Sequence, residues 1–205
     1  MSRADRPDTL PAPRTSAAAA PGRRLRRTAR REQILSAATR AFARSGFAAT
    51  SLDDVAVEAG VSRVILYRHF ASKADLYRAV LDRACSWLVA AVGVGDYAAE
   101  SVDALVVAAA EDPAGFRLLF QHAAREPEFR QQMDEFRANM TAVAYRQLSE
   151  MIPATAWARW AAQLLPMLVV EAITAWLDAG QPDREQAGDR IRQVVAGVIQ
   201  AAQLG

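Results

Sequence analysis

From residue 28 onward the apolar positions of the chain repeat at helical spacing. Ile34, Leu35, Ala38, Ala41 and Phe42 share one face, the stripe of a 3.6-residue period. The stripe stops at Gly46, a residue free to take the left-handed conformation that closes a helix. Ser51 opens a short second helix with Asp54 at the capping-box position, although Asp is a weaker partner there than Glu. Leu52, Val55 and Ala56 point inward along it, and Gly60 ends it. Ser62 caps a third helix anchored by Leu66 and Phe70 at i, i+4. Ser72 caps a fourth, from Lys73 to about residue 92. Gly93 and Gly95 then break the chain. Further helices are predicted over about 96–110, from the Asp112-Pro113 cap to about 124, from the Glu126-Pro127 step to the Ile152-Pro153 step, and over 154–179. The last opens at Asp183 and carries Ile191, Val194, Val195, Val198 and Ile199 at i, i+3, i+4, i+7 and i+8. The pattern predicts nine helices and an all-α fold.

Composition narrows the picture. The 205 residues suffice for one large or two small domains, and the 52% apolar content for a sizeable core. Residues 1–22 hold four prolines and an Ala17–Ala20 tract, the composition of a disordered tail. This segment has no apolar signal region. The most apolar run, 161–177, contains Pro166 and Glu171 and is short of the roughly 20 residues that cross a bilayer. It is expected to be a buried helix in a cytoplasmic protein with no membrane partner. Cys85 stands alone, which excludes an internal disulfide and a cysteine zinc cluster, and reads as a small buried hydrophobe. Two histidines, one cysteine, no metal-ligand spacing, no phosphate loop and no nucleophile motif argue against an enzyme, a metal site or a cofactor.

Charge is divided unevenly. Residues 1–83 carry +8 and residues 84–205 carry −6, within a net +2. A basic front half points to a polyanion for that half alone. Residues 14–31 contain seven arginines and no acid. Arg26 and Arg27 belong to this run, which reads as an arm following phosphates or the minor groove, or else as a solvated tail. With Leu66 and Phe70 buried, Arg63, Val64, Tyr67 and Arg68 share the outer face of the third helix. Arginine bonds guanine bidentately, while tyrosine and histidine hold phosphate oxygens. Thr50, Ser51 and Lys73 flank that helix and are expected to hold the DNA backbone.

The run Ile34-Leu35…Ala38…Phe42…Gly46-Phe47…Thr50-Ser51, then Val55-Ala56…Ala59-Gly60-Val61-Ser62, then Leu66-Tyr67-Arg68-His69-Phe70…Ser72-Lys73…Leu76 resembles the DNA-binding domain of the tetracycline-repressor (TetR) family. The resemblance covers about a quarter of the chain. It implies DNA contacts at Thr50, Ser62, Arg63, Tyr67, His69 and Lys73. Where the family often has Gly or Ala followed by Thr, this chain has Val64-Ile65. One hydroxyl contact to phosphate is thereby lost, and Val64 is placed to touch a thymine methyl. The resemblance also implies a helical ligand-binding and dimerisation domain from about residue 84, its last two helices forming a four-helix bundle with a second copy.

The organisation expected is a tail over 1–22, a helix-turn-helix domain with a basic arm over 23–72, and a helical ligand-binding and dimerisation domain over 73–205. No motif in the last names a ligand. Trp87, Phe116, Phe120, His122, Met140, Trp157, Trp160, Met167 and Glu171 are candidate pocket residues, although aromatic and Met stripes are core as readily as pocket wall. Glu171 is open to three readings: pairing across a dimer, bonding a ligand, or facing water. Pro166 removes one helical hydrogen bond and is expected to bend its helix over a cavity. Leu168, Trp176, Ile191, Val194, Val195, Val198 and Ile199 are the expected dimer seam. The function expected is a homodimeric regulator on a pseudo-palindromic duplex operator. It acts as a repressor released by a small hydrophobic or amphipathic effector; the alternative is a constitutive or protein-gated regulator of the same fold.

Overall fold

A computed structural model describes residues 21–92 and 99–204, and the side chains of all of these except 21–26, 99 and 100. Residues 1–20 of the expected tail, the Gly93 and Gly95 break and the side chains of Arg23, Arg24 and Arg26 therefore lie outside the described residues, while Pro21 and Gly22, expected in the tail, begin the first helix. In chain order the helices are α1 (Pro21–Ala49), α2 (Leu52–Ala59), α3 (Arg63–Tyr67), α4 (Lys73–Val92), α5 (Ala99–Glu111), α6 (Pro113–Arg117), α7 (Arg130–Met151), α8 (Thr155–Asp178) and α9 (Arg184–Gln203). Among the described residues the fold is all-helical, as the periodicity predicts.

Local chemistry sets most of the boundaries. Ser51 and Asp54 form the full capping box of α2: Ser51 Oγ accepts from the Asp54 amide, and Asp54 Oδ2 accepts from the Ser51 amide. The Ser51 hydroxyl, donating to Asp54 Oδ2 at 2.7 Å, and then the Ser51 amide hold the Asp54 carboxyl below its ordinary pKa. Gly60 closes α2 at φ 61°. Gly46 breaks α1 at φ 74°, ψ 174°, a region open almost only to glycine, and one more helical turn follows to Ala49. The stretch expected as one helix from Pro113 to about residue 124 is less regular. Its α-turns give way to a π-turn at Leu118–His122, where the Ala123 amide reaches the Leu118 carbonyl, and then to a 3₁₀ turn at Ala123–Arg125. A second 3₁₀ turn, Pro127–Phe129, leads into α7.

One apolar core runs through α1–α6 and takes in parts of α8 and α9. Ile34, Leu35 and Phe42 of α1, Leu66 of α3, Leu76 and Tyr77 of α4, Phe116 of α6 and Phe129 are all buried in it. A second, smaller core lies between α7, α8 and α9 around Leu148, Ile152 and Leu165. The helix α8 is long and apolar enough to cross a membrane by composition alone. Its face from Ala158 to Leu177 is instead buried against neighbouring helices. Cys85 is half-buried, and burial with nearby Asp82 pushes its thiol up to about 11, leaving it protonated and inert at neutral pH.

Candidate nucleic-acid interface and helical-domain cavity

The turn between α2 and α3 presents a short helix outward. Ser62 caps α3 by accepting from the Ile65 amide. Leu66 and Phe70 anchor it in the core, which leaves Val64 and Tyr67 63% and 46% exposed, with Arg63 and Arg68 beside them. Arg63 lies over the Tyr67 ring and pairs with Asp53 of α2 at 3.1 Å. That pair is solvent-exposed and weak, so it orients the guanidinium without committing it. The outer face expected of the recognition helix is thus assembled. Arg27 is exposed on α1, on the same side as Arg68 and His69, and the three help to line one open groove.

Two residues expected on DNA are engaged within the fold. Thr50 is buried, and its hydroxyl donates to the Gly46 carbonyl at 2.7 Å, fastening the break in α1. The Lys73 ammonium donates to three carbonyls, those of Phe47 at 2.8 Å, Thr50 at 3.1 Å and Ala48 at 3.3 Å, and sits 4.4 Å from the Phe47 ring centroid. An ammonium has three N–H donors, so Lys73 has none left for a phosphate in this arrangement. Both residues close the end of α1 on the start of α4. Ser51 stays exposed, its hydroxyl held in the capping box.

The cavity is not where the aromatic residues pointed. A space of about 410 Å³ lies between α5, α7, α8 and α9, walled by Val102, Leu105, Leu148, Leu165 and Val169 among others. Met140 is the one expected pocket residue that lines it. Phe116 is core, 4.8 Å from Phe120, and Trp87 packs on the same core. His122 sits beside Gly46 at the junction with α1. Trp157 and Trp160 form an edge-to-face pair on the outside of α8, where Met167 and Glu171 are also exposed. Glu171 therefore does not line this cavity. Pro166 does line the cavity. So does Arg192 of α9, which the sequence did not single out and which pairs with Asp103 and Asp189. A run of aliphatic residues at helical spacing carries no mark that separates cavity wall from core.

The expected dimer seam is also divided. Ile191 is buried in the core of its own protomer, Val195 and Ile199 line the cavity, and Val198 packs on the second core. The Trp176 indole donates to the Pro182 carbonyl at 2.8 Å, and Leu168 is half-buried. Of these seven residues Val194 is the one that is largely exposed, at 49%. Gly197 of α9 and Trp160 and Met167 of α8 are also exposed.

A helix-turn-helix with a basic flank, carried on a helical domain with an apolar cavity, defines a DNA-binding regulator. The family profile described as bacterial regulatory proteins, tetR family, matches residues 34–80. The transcriptional activator FasR of Mycolicibacterium smegmatis is 32% identical over 192 residues, 88% of this chain and 84% of FasR. The regulator TtgR of Pseudomonas putida is 52% identical over 52 residues, 25% of each chain. Among solved structures, the regulator SCO4454 of Streptomyces coelicolor superposes with a TM-score of 0.62 at 25% identity, covering 86% of this chain and 97% of that one. A TetR-like regulator from Rhodococcus sp. RHA1 superposes at 0.66 with 20% identity, covering 81% and 93%. The chain belongs to the TetR family of bacterial regulatory proteins. It is a DNA-binding transcriptional regulator, not an enzyme.

Proposed function

We propose that this regulator is a homodimer that binds a pseudo-palindromic operator as a repressor and leaves it when a small hydrophobic or amphipathic ligand fills the cavity. The observation that carries this reading is the cavity itself, large enough for a small ligand and walled almost wholly by apolar side chains. Its α5 wall packs on α4, the helix that follows the recognition segment. Arg83 of α4 bridges Glu32 of α1 at 3.1 Å and Asp112, the cap of α6, at 3.8 Å. A ligand that displaces α5 therefore bears on α4 and, through it, on α3. A preference of about 100-fold for the DNA-incompetent state supplies roughly 2.7 kcal/mol per site, and operator DNA must weaken ligand binding by the same factor.

The test is a thermal-shift screen of apolar ligands on the purified protein, followed by release of duplex DNA. Ala144 lines the cavity and is itself buried, so Ala144→Phe fills space the ligand needs. A ligand that raises the Tm of the parent is expected to release DNA from it, and to do neither in Ala144→Phe, which still binds DNA. Equal stabilisation of both proteins would place the ligand elsewhere. With no tryptophan in the cavity wall, strong static quenching is not expected on binding.

Assembly is expected through the outer faces of α8 and α9. Val194→Asp sets a charge in that seam, where an unpaired charge costs several kcal/mol. Sedimentation of the variant should show monomer, whereas Val198→Asp, facing inward, should unfold the domain instead. An intact, folded Val194→Asp dimer would move the interface to another face. A second reading of the sign of control has a specific observation behind it: FasR, similar over most of its length, is an activator by name. Transcription from a bound promoter in the presence and absence of the protein separates the two.

A further inference from the structure

We propose that Arg27, Arg30, Arg68 and His69 form one site for a backbone phosphate of duplex DNA, and that filling it draws a proton onto His69. The groove has two walls. One is the first exposed turns of α1, from Arg27 to Gln33; the other is the end of α3, with Arg68 and His69. Gln33 ties the walls together. Its amide donates to the Ala59 carbonyl at the end of α2, at 2.8 Å, and its side-chain oxygen accepts from Arg30 at 2.9 Å. That exposed bond orients the Arg30 guanidinium along the groove without committing it. Arg31 braces the same joint by stacking over Phe70 at 5.1 Å.

The pairing pattern marks this groove. Arg40 and Arg44 share Glu58, Arg63 pairs with Asp53, and Arg83 pairs with Glu32. Among the described residues no carboxylate pairs with Arg27, Arg30 or Arg68. Uncompensated cations converging on one groove disfavour the free fold and favour an anion in it. The partner is DNA because the groove adjoins the face that carries Arg63, Val64 and Tyr67, and a recognition helix in a major groove brings the flanking backbone to its ends.

His69 is the titrating member. The charged groups that act on it are Arg27, Arg30 and Arg31 of α1, with Arg68 its neighbour in sequence. The carboxylates of the adjoining elements are engaged elsewhere: Glu32 with Arg83, and Asp75 of α4 with the Ala71 amide. Burial, and then the arginines, hold the imidazole below its ordinary pKa, so it is neutral at pH 7 in the free protein. A phosphodiester in the groove reverses the local charge and favours the imidazolium, which has two N–H donors to offer. The bound pKa then lies above the free one. Affinity is greatest below the free pKa, falls as pH rises through the interval between the two, and levels off above the bound pKa.

This rests on the placement of α3 against DNA. The experiment uses the full chain and a random-sequence duplex of about 30 base pairs, with anisotropy read between about pH 5.5 and 8.5 at constant ionic strength. The parent is expected to lose affinity several-fold across that range and His69→Gln to show a much flatter profile. The chain has two histidines, so His69→Gln also assigns the imidazole carbon-bound proton resonances. That of His69 should titrate at higher pH with saturating duplex than without it. Arg30→Gln should lower the salt slope by about 0.9, one phosphate contact. A His69 titration unmoved by duplex, or a pH profile shared by the parent and His69→Gln, would overturn the proton linkage while leaving DNA binding intact. Failure of the parent to bind duplex at all overturns the linkage and the reading beneath it together.

Discussion

Phe129→Ala is expected to destabilise the protein by about 3–5 kcal/mol, the range for truncating a fully buried aromatic ring. Phe129 comes from the 3₁₀ turn before α7, yet its neighbours belong to the DNA-binding end of the molecule. Its ring stands 5.1 Å from Phe47 of α1 and 4.6 Å from Tyr77 of α4, and Tyr77 in turn meets Phe42 edge-on at 4.8 Å. Arg78 lies over the outer face of Phe129. Each such aromatic pair adds about 0.5–1.5 kcal/mol beyond area burial, and the two that Phe129 makes join the two halves of the chain. Urea unfolding measures the loss. Phe129→Leu should recover much of it by refilling volume. A loss under about 1 kcal/mol for Phe129→Ala would mean that the joint is not tightly packed. Tyr77→Phe is the matching control. The Tyr77 hydroxyl is buried without a hydrogen-bond partner among the described residues, and burial with Glu126 nearby raises its pKa far above the ordinary value. Removing an unpartnered hydroxyl should be neutral or slightly stabilising.

Lys73→Ala is expected to cost about 2–3 kcal/mol in the free protein, because charge-assisted hydrogen bonds to the carbonyls of Phe47, Ala48 and Thr50 are lost together. Lys73→Arg should not restore it, since a planar guanidinium cannot gather three converging carbonyls as a compact ammonium does. At a temperature where the variant is folded, its affinity for duplex should stay within about twofold of the parent and the salt slope unchanged. A normal Tm with weakened binding to every sequence would instead return Lys73 to the phosphate role.

The helix-turn-helix was legible residue by residue because its signals are local. A serine cap with an acid three residues on, a glycine at a left-handed position and an apolar pair at i, i+4 each act within one or two turns, and Ser51, Asp54, Gly60, Ser62, Leu66 and Phe70 do so in the structure. Thr50 and Lys73 were not legible in this way. The Lys73 ammonium meets carbonyls 23 to 26 residues away, and the Thr50 hydroxyl, though its Gly46 carbonyl lies only four residues back, turns inward at the break in α1. A polar side chain beside a recognition helix looks the same in sequence whether it serves phosphate or backbone.

The sequence by itself determined the helices, the outward face of α3, the division of charge and the family, all of which follow from spacing and residue type along one strand of chain. Tertiary structure alone decided the rest. A cavity is space left over where α5, α7, α8 and α9 meet, and no residue type encodes a space. Which stripe of α9 turns inward depends on how α8 lies against it, so that Ile191 is core while Val194 is surface. The phosphate groove depends on Gln33 reaching the end of α2, because only that contact brings arginines of α1 and the end of α3 close enough to share one anion.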